Sequence, residues 1–63
     1  MIIRIRYEGE GSHVRARVFT GPDRANCGLS GTLMIRLDDW PDFKAQMEKA
    51  GAEVLALDEK VIP

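Results

Sequence analysis

The chain predicts a small α+β domain of order β-β-β-α-β. It would be an antiparallel sheet with one helix packed on one face and the last strand parallel to the first or third. Three patterns carry that expectation. Apolar and charged residues alternate at strand spacing in three runs of the N-terminal half. A stretch opened by Asp38-Asp39-Trp40-Pro41 then repeats apolar residues at three- and four-residue steps. A short apolar run, Val54-Leu55-Ala56-Leu57, closes the pattern.

The first strand is expected over residues 2–7, with Ile3, Ile5 and Tyr7 on one face and Arg4 and Arg6 on the other. The second covers residues 13–20, where Val14, Ala16 and Val18 alternate with Arg15, Arg17 and Phe19. Gly9-Glu10 suits a two-residue type II′ hairpin turn between them. That register places Arg4 opposite Arg15, Arg6 opposite His13 and Ile5 opposite Val14. A slide of one residue on each strand places Arg6 opposite Arg15 and Arg4 opposite Arg17. Both registers oppose arginines, which destabilises a sheet and calls for compensating charge.

Gly21-Pro22-Asp23 breaks the second strand, and a loop over residues 21–29 follows. The third strand is expected over residues 31–37, with Leu33, Ile35 and Leu37 on the apolar face and Met34 and Arg36 on the arginine face. Asp38 and Asp39 read as capping acids, and proline is tolerated in a first helical turn. Trp40, Phe43, Met47 and Ala50 form the apolar stripe, and Gly51 ends the helix. The stripe is expected to pack on Ile3, Ile5, Val14, Ala16, Val18, Leu33, Ile35 and Leu37. The fourth strand, residues 53–58, sets Val54 and Ala56 against one side and Leu55 and Leu57 against the other. A strand buried on both sides, or covered by a partner subunit, reads this way.

The 63 residues make one domain, 1–63. A core of this size supplies only about 3–5 kcal/mol, so a staple or a partner is expected. Cys27 is the single cysteine, and no Cys/His cluster offers a metal site. A homodimer is therefore expected. One cysteine and no export signal point to a reducing, cytoplasmic setting. No apolar run approaches the roughly 20 residues of a membrane span. Net charge is −1, yet residues 1–37 hold six arginines against three acids and residues 38–63 hold three lysines against seven acids. The overall balance argues against a nucleic-acid binder, and the asymmetry argues for faces of opposite sign.

The candidate partner-binding residues are Arg4, Arg6, Arg15, Arg17, Phe19, Arg24, Met34 and Arg36. Outward strand positions are ordinarily polar, so a solvated face paired with Glu53, Asp58 or Glu59 accounts for the same pattern. The functional reading is an anion-binding face, since arginine's planar fork bonds carboxylate and phosphate bidentately. Phe19 is the one aromatic expected on that face, which is thin for base stacking. Aromatic residues, methionine and arginine are the types enriched at protein interfaces. His13 reads as a surface residue, Cys27 as an incidental thiol and Trp40 as core. The glycines match no phosphate loop, and no nucleophile–base pair can be assembled. The expectation is a non-enzymatic module, without cofactor, that grips an acidic protein surface. The alternative is a nucleic-acid binder using Arg4, Arg6, Arg15, Arg17 and Arg36 on phosphates.

The stretch Val18-Phe19-Thr20-Gly21-Pro22-Asp23, with Leu29-Ser30-Gly31-Thr32-Leu33 and Asp39-Trp40…Phe43, resembles short proteins of tailed phages of actinobacteria. The resemblance covers residues 18–43 and implies no catalytic residue or ligand. It implies a small accessory or host-interacting protein that works by binding and blocking a larger partner.

Overall fold

A computed structural model describes residues 1–56 of the chain. Its elements are β1 (Ile2–Glu10), β2 (His13–Gly21), a single 3₁₀ turn (Arg24–Asn26), β3 (Gly28–Arg36), α1 (Trp40–Lys49) and β4 (Glu53–Ala56). The strands form one mixed sheet in the order β3-β2-β1-β4. β1–β2 and β2–β3 are antiparallel, and β4 joins β1 in parallel. The expected element order and the parallel last strand are both present. Leu57, Asp58 and the tail to Pro63 lie outside the described residues, and with them the expected end of β4 and the pairing of Asp58 or Glu59 with the arginines.

The hairpin turn is not at Gly9-Glu10. Both residues are in β1, and the chain reverses at Gly11-Ser12, where Gly11 has φ +65°. Positive φ at the first central residue is what a Gly-X hairpin turn needs, so the turn chemistry holds but the glycine differs. The shift corrects both expected registers. Ile5 faces Val18, Tyr7 faces Ala16, Glu8 faces Arg15 and Arg4 faces Phe19, leaving Arg6 opposite Arg17 as the one opposed arginine pair in this ladder. The longer ladder pairs nine residues on each strand and trades like-charge contacts for a Glu–Arg contact.

The loop is also shorter than expected, because β2 runs to Gly21 and β3 starts at Gly28. Asp23 organises what remains. Its Oδ1 accepts from the backbone N–H groups of Ala25 and Asn26, each at 3.0 Å, and from Asn26 Nδ2 at 2.9 Å. This loop folds back onto Gly21, where a Cβ would lie 2.1 Å from the Asn26 carbonyl oxygen. β3 then enters the ladder with a bulge. Val18 faces Gly31 and Phe19 faces Leu29, so Ser30 is the extra residue, and its hydroxyl hydrogen-bonds that of Thr20 at 2.5 Å.

α1 starts at Trp40 with Pro41 in its first turn and Asp39 in the cap position, but no Asp39 side-chain oxygen bonds the helix N–H groups. Capping therefore does not account fully for the Asp38-Asp39 pair. The helix ends in a full Schellman motif. Gly51 has φ +95°, its N–H donates to the Glu48 carbonyl at 3.0 Å, and Ala52 N–H donates to Met47 at 2.9 Å. This reversal carries Ala52 into the core and leaves Ala50, expected in the apolar stripe, exposed.

Ile5, Val14, Ala16 and Ala52 are buried. Ile3, Tyr7, Val18, Ile35, Trp40, Phe43, Met47 and Val54 pack half-buried around Ile5, Ala16 and Ala52. Trp40 lies 4.6 Å from Tyr7 and 5.8 Å from Phe43 between ring centroids, contacts worth about 0.5–1.5 kcal/mol each beyond burial. Lys44 Nζ lies 5.6 Å from the Tyr7 ring centre. The helix sits toward the β1–β4 side. Leu33 and Leu37, expected beneath it, are 44% and 50% exposed.

Two glycines should therefore resist substitution. Gly51→Ala should cost about 1–2 kcal/mol in urea unfolding, the penalty for a side chain at positive φ. Gly21→Ala should cost about 1–3 kcal/mol by driving the loop off β2. Gly28→Ala, with open space around its Cβ position, should leave the midpoint near wild type.

Candidate functional site

The sheet face away from α1 carries nearly every sequence-predicted site residue. Strand alternation and the observed register place Arg4, Arg6, Glu8 and Glu10 of β1 beside Phe19, Arg17, Arg15 and His13 of β2. β3 adds Thr32 beside Arg17, Met34 beside Arg15 and Arg36 beside His13. β4 adds Glu53 beside Arg4 and Leu55 beside Arg6. Arg24 reaches this face from the 3₁₀ turn.

The arginines divide by partner. Glu53 takes two of them: Arg4 Nε at 2.5 Å on Oε1 and Arg24 Nη2 at 2.9 Å on Oε2. This clamp ties β1, β4 and the loop together. Arg15 is held by Glu10 Oε2, at 2.6 Å from Nε and 2.5 Å from Nη2, with Glu8 Oε1 at 3.6 Å. Arg36 lies 4.0 Å from Asp38, with both side chains well exposed. An exposed pair at that distance contributes little.

Arg6 and Arg17 are different. They face each other across the central strand pair, both half-buried, and make no ion pair among the described residues. Their outer neighbours across the ladder are Leu55 and Thr32, neither of which carries charge. Glu8, the nearest acid along β1, is directed to Arg15. Two arginines thus stand opposite each other at the centre of the face, carrying ten N–H donors in all. Such a pair can receive a carboxylate or phosphate bidentately.

Apolar side chains flank the pair. Phe19 is half-buried on this face, and Met34 is 54% exposed. Leu29, 59% exposed, stands opposite Phe19. Alternation through an unbroken β3 puts Leu29 on the helix side, so only the bulge at Ser30 brings it here. Leu55 was legible as one side of β4, and the parallel β1–β4 pairing assigns that side to the arginine face.

The remaining candidates stay apart from this cluster. His13 Nδ1 shares a 2.9 Å hydrogen bond with Ser12 Oγ, beside an open depression lined by Ser12, Arg36, Leu37 and Asp38. Cys27 Sγ donates to the Asp23 carbonyl at 3.1 Å. Among the described residues no group of three or more His, Cys, Asp or Glu is placed to hold a metal ion. No helix there is long and apolar enough to cross a membrane.

Comparison with protein-family models, curated proteins and solved structures finds no match to this chain.

Two substitutions separate the paired from the unpaired arginines. Arg17→Glu replaces a repulsive cross-strand pair by an attractive one, so it should stabilise the fold by about 0.2–1 kcal/mol in urea unfolding. Glu53→Gln frees Arg4 and Arg24 together and should lower stability by about 1 kcal/mol, an effect that shrinks at high salt.

Proposed function

We propose that the chain is a non-enzymatic protein-binding module whose arginine face takes up an acidic surface of a protein partner. The observation that carries this reading is the Arg6–Arg17 pair. Opposed guanidinium groups cost stability, and the neighbouring glutamates are committed to Arg4, Arg15 and Arg24. A partner carboxylate between Arg6 and Arg17 relieves that cost. Phe19, Met34 and Leu29 supply apolar contact beside it, and Arg24 and Arg36 lie at the margins.

Glu8, Glu10 and Glu53 among the arginines, and a single aromatic on the described face, favour a protein surface over a nucleic-acid backbone. The chain acts as a homodimer, in keeping with the four buried side chains among its described residues and its single cysteine. Its mode of action is occlusion of a larger partner, as the resemblance to small phage proteins implies.

The test is affinity capture from lysate of the source organism with wild type, Arg6→Glu/Arg17→Glu and Glu48→Gln. The double variant should lose the captured protein at least about tenfold, while Glu48→Gln, on the exposed helix, retains it. Equal recovery by all three overturns the reading. A shift of generic duplex DNA or RNA by micromolar wild type, lost in the double variant, reassigns the face to phosphates.

A further inference from the structure

We infer that the free edge of β3 is the homodimer interface, pairing antiparallel with β3 of a second copy to make one continuous eight-stranded sheet. The inference rests on the binding-module reading only for its last consequence, the doubled arginine face.

β3 is a nine-residue edge strand, and eight of its nine residues are exposed. Proteins guard such edges with lysine, proline, inward charges or a cover. β3 has no lysine or proline, and its one charge, Arg36, is the last residue. The bulge at Ser30 disturbs only its start, leaving Gly31–Arg36 regular. α1 packs over the β1–β4 half of the sheet, and no element among the described residues covers this edge.

Large apolar side chains concentrate on this strand. Among the described residues the exposed ones are Met1, Leu29, Leu33, Met34 and Leu37; three belong to β3 and Leu37 follows it. Leu33 lies on the helix side of the sheet and Leu29 and Met34 on the arginine side, with Leu37 exposed in the turn beyond the strand. An apolar strip that runs over both faces at one edge is covered best by another strand, which brings side chains to both faces at once.

A second copy fits this edge in charge and in side-chain pattern. A two-fold axis at Met34 sets Met34 against its mate, Leu33 against Ile35 and Thr32 against Arg36. Apolar meets apolar on the helix side, and the two Arg36 side chains do not oppose each other. That avoids the like-charge cost a parallel, in-register pairing would carry. The two-fold stands normal to the sheet, so both helices lie on one side and both arginine faces on the other. With strands about 4.8 Å apart, the two β2 strands are three spacings, about 14 Å, from each other. The dimer therefore presents two Arg6–Arg17 pairs on a single surface, with the Met34 residues between them, and takes a partner bearing two acidic sites.

The experiment is sedimentation equilibrium of the full chain from micromolar to about 100 µM, with far-UV circular dichroism as the folding control. Wild type should reach twice the 7.0 kDa chain mass. Leu33→Lys/Met34→Lys should raise the dimer dissociation constant at least about tenfold with an unchanged spectrum. Met34→Cys in a Cys27→Ser background keeps the strand intact and should form an intermolecular disulfide under mild oxidation, which Glu48→Cys in that background should not. A wild type that stays at monomer mass overturns the inference, as does a dimer indifferent to the lysine pair or a cross-link no better than that of Glu48→Cys. A monomer that gains an extended foreign peptide at this edge does so too. The two readings fail separately: a monomer that still loses its partner on Arg6→Glu/Arg17→Glu leaves the arginine face standing, and a β3 dimer indifferent to that substitution leaves the interface standing.

Discussion

The pairing of β1 with β2 through the Gly11-Ser12 turn sets which charged side chains of these two strands stand together on the open face. A shift of the turn glycine by two residues changes each cross-strand partner while keeping every residue on its own side. In the observed register Ile5 and Ala16 enter the core together, and Glu8 and Glu10 reach Arg15. The same register brings Gly21 to the loop, where only a glycine leaves room for the Asn26 carbonyl. It also concentrates the unresolved repulsion at one place, Arg6 against Arg17, instead of spreading it along the ladder.

The glutamates organise the rest of that face. Glu53 enters through the parallel β4 strand and binds arginines from β1 and from the 3₁₀ turn, so one carboxylate joins segments far apart in the chain. That clamp is possible only because the Schellman turn at Gly51 directs the chain from the helix end back toward β1. The turn buries Ala52, and β4 follows at once with Glu53 on the arginine side and Val54 on the helix side. Charge pairing and core packing thus share one local device.

The core explains why this domain has surfaces to spare. Four side chains are buried among the described residues, and the helix covers the β1–β4 half of the sheet. The β2–β3 half keeps Leu33 in solvent on one side and Leu29 and Met34 on the other, with Leu37 exposed just past the strand. A single ten-residue helix is too narrow to cover four strands. A small α+β chain of this kind leaves apolar surface at the edge away from its helix, and that edge here carries little charge.

Alternation and capping chemistry in the sequence by themselves determined the element order, the division of each strand into an apolar and a charged face, and the placement of Arg4, Arg6, Arg15, Arg17, Phe19, Met34 and Arg36 on one side. Those properties are local, since strand period and turn preference act within a few residues. Which residues stand opposite each other was decided only in three dimensions. Gly9 and Gly11 both satisfy turn chemistry, and the choice between them falls to the length of the ladder and the charges it opposes. Ser30 becomes a bulge only when β3 meets β2, so Leu29 could not be assigned its face beforehand. The capture of two arginines by Glu53 depends on β4 lying beside β1, a contact between residues 49 positions apart. The hairpin register sets Arg6 against Arg17, and the β4 register gives Glu53 to Arg4 and Leu55 to Arg6, so the opposed pair has no carboxylate among the described residues.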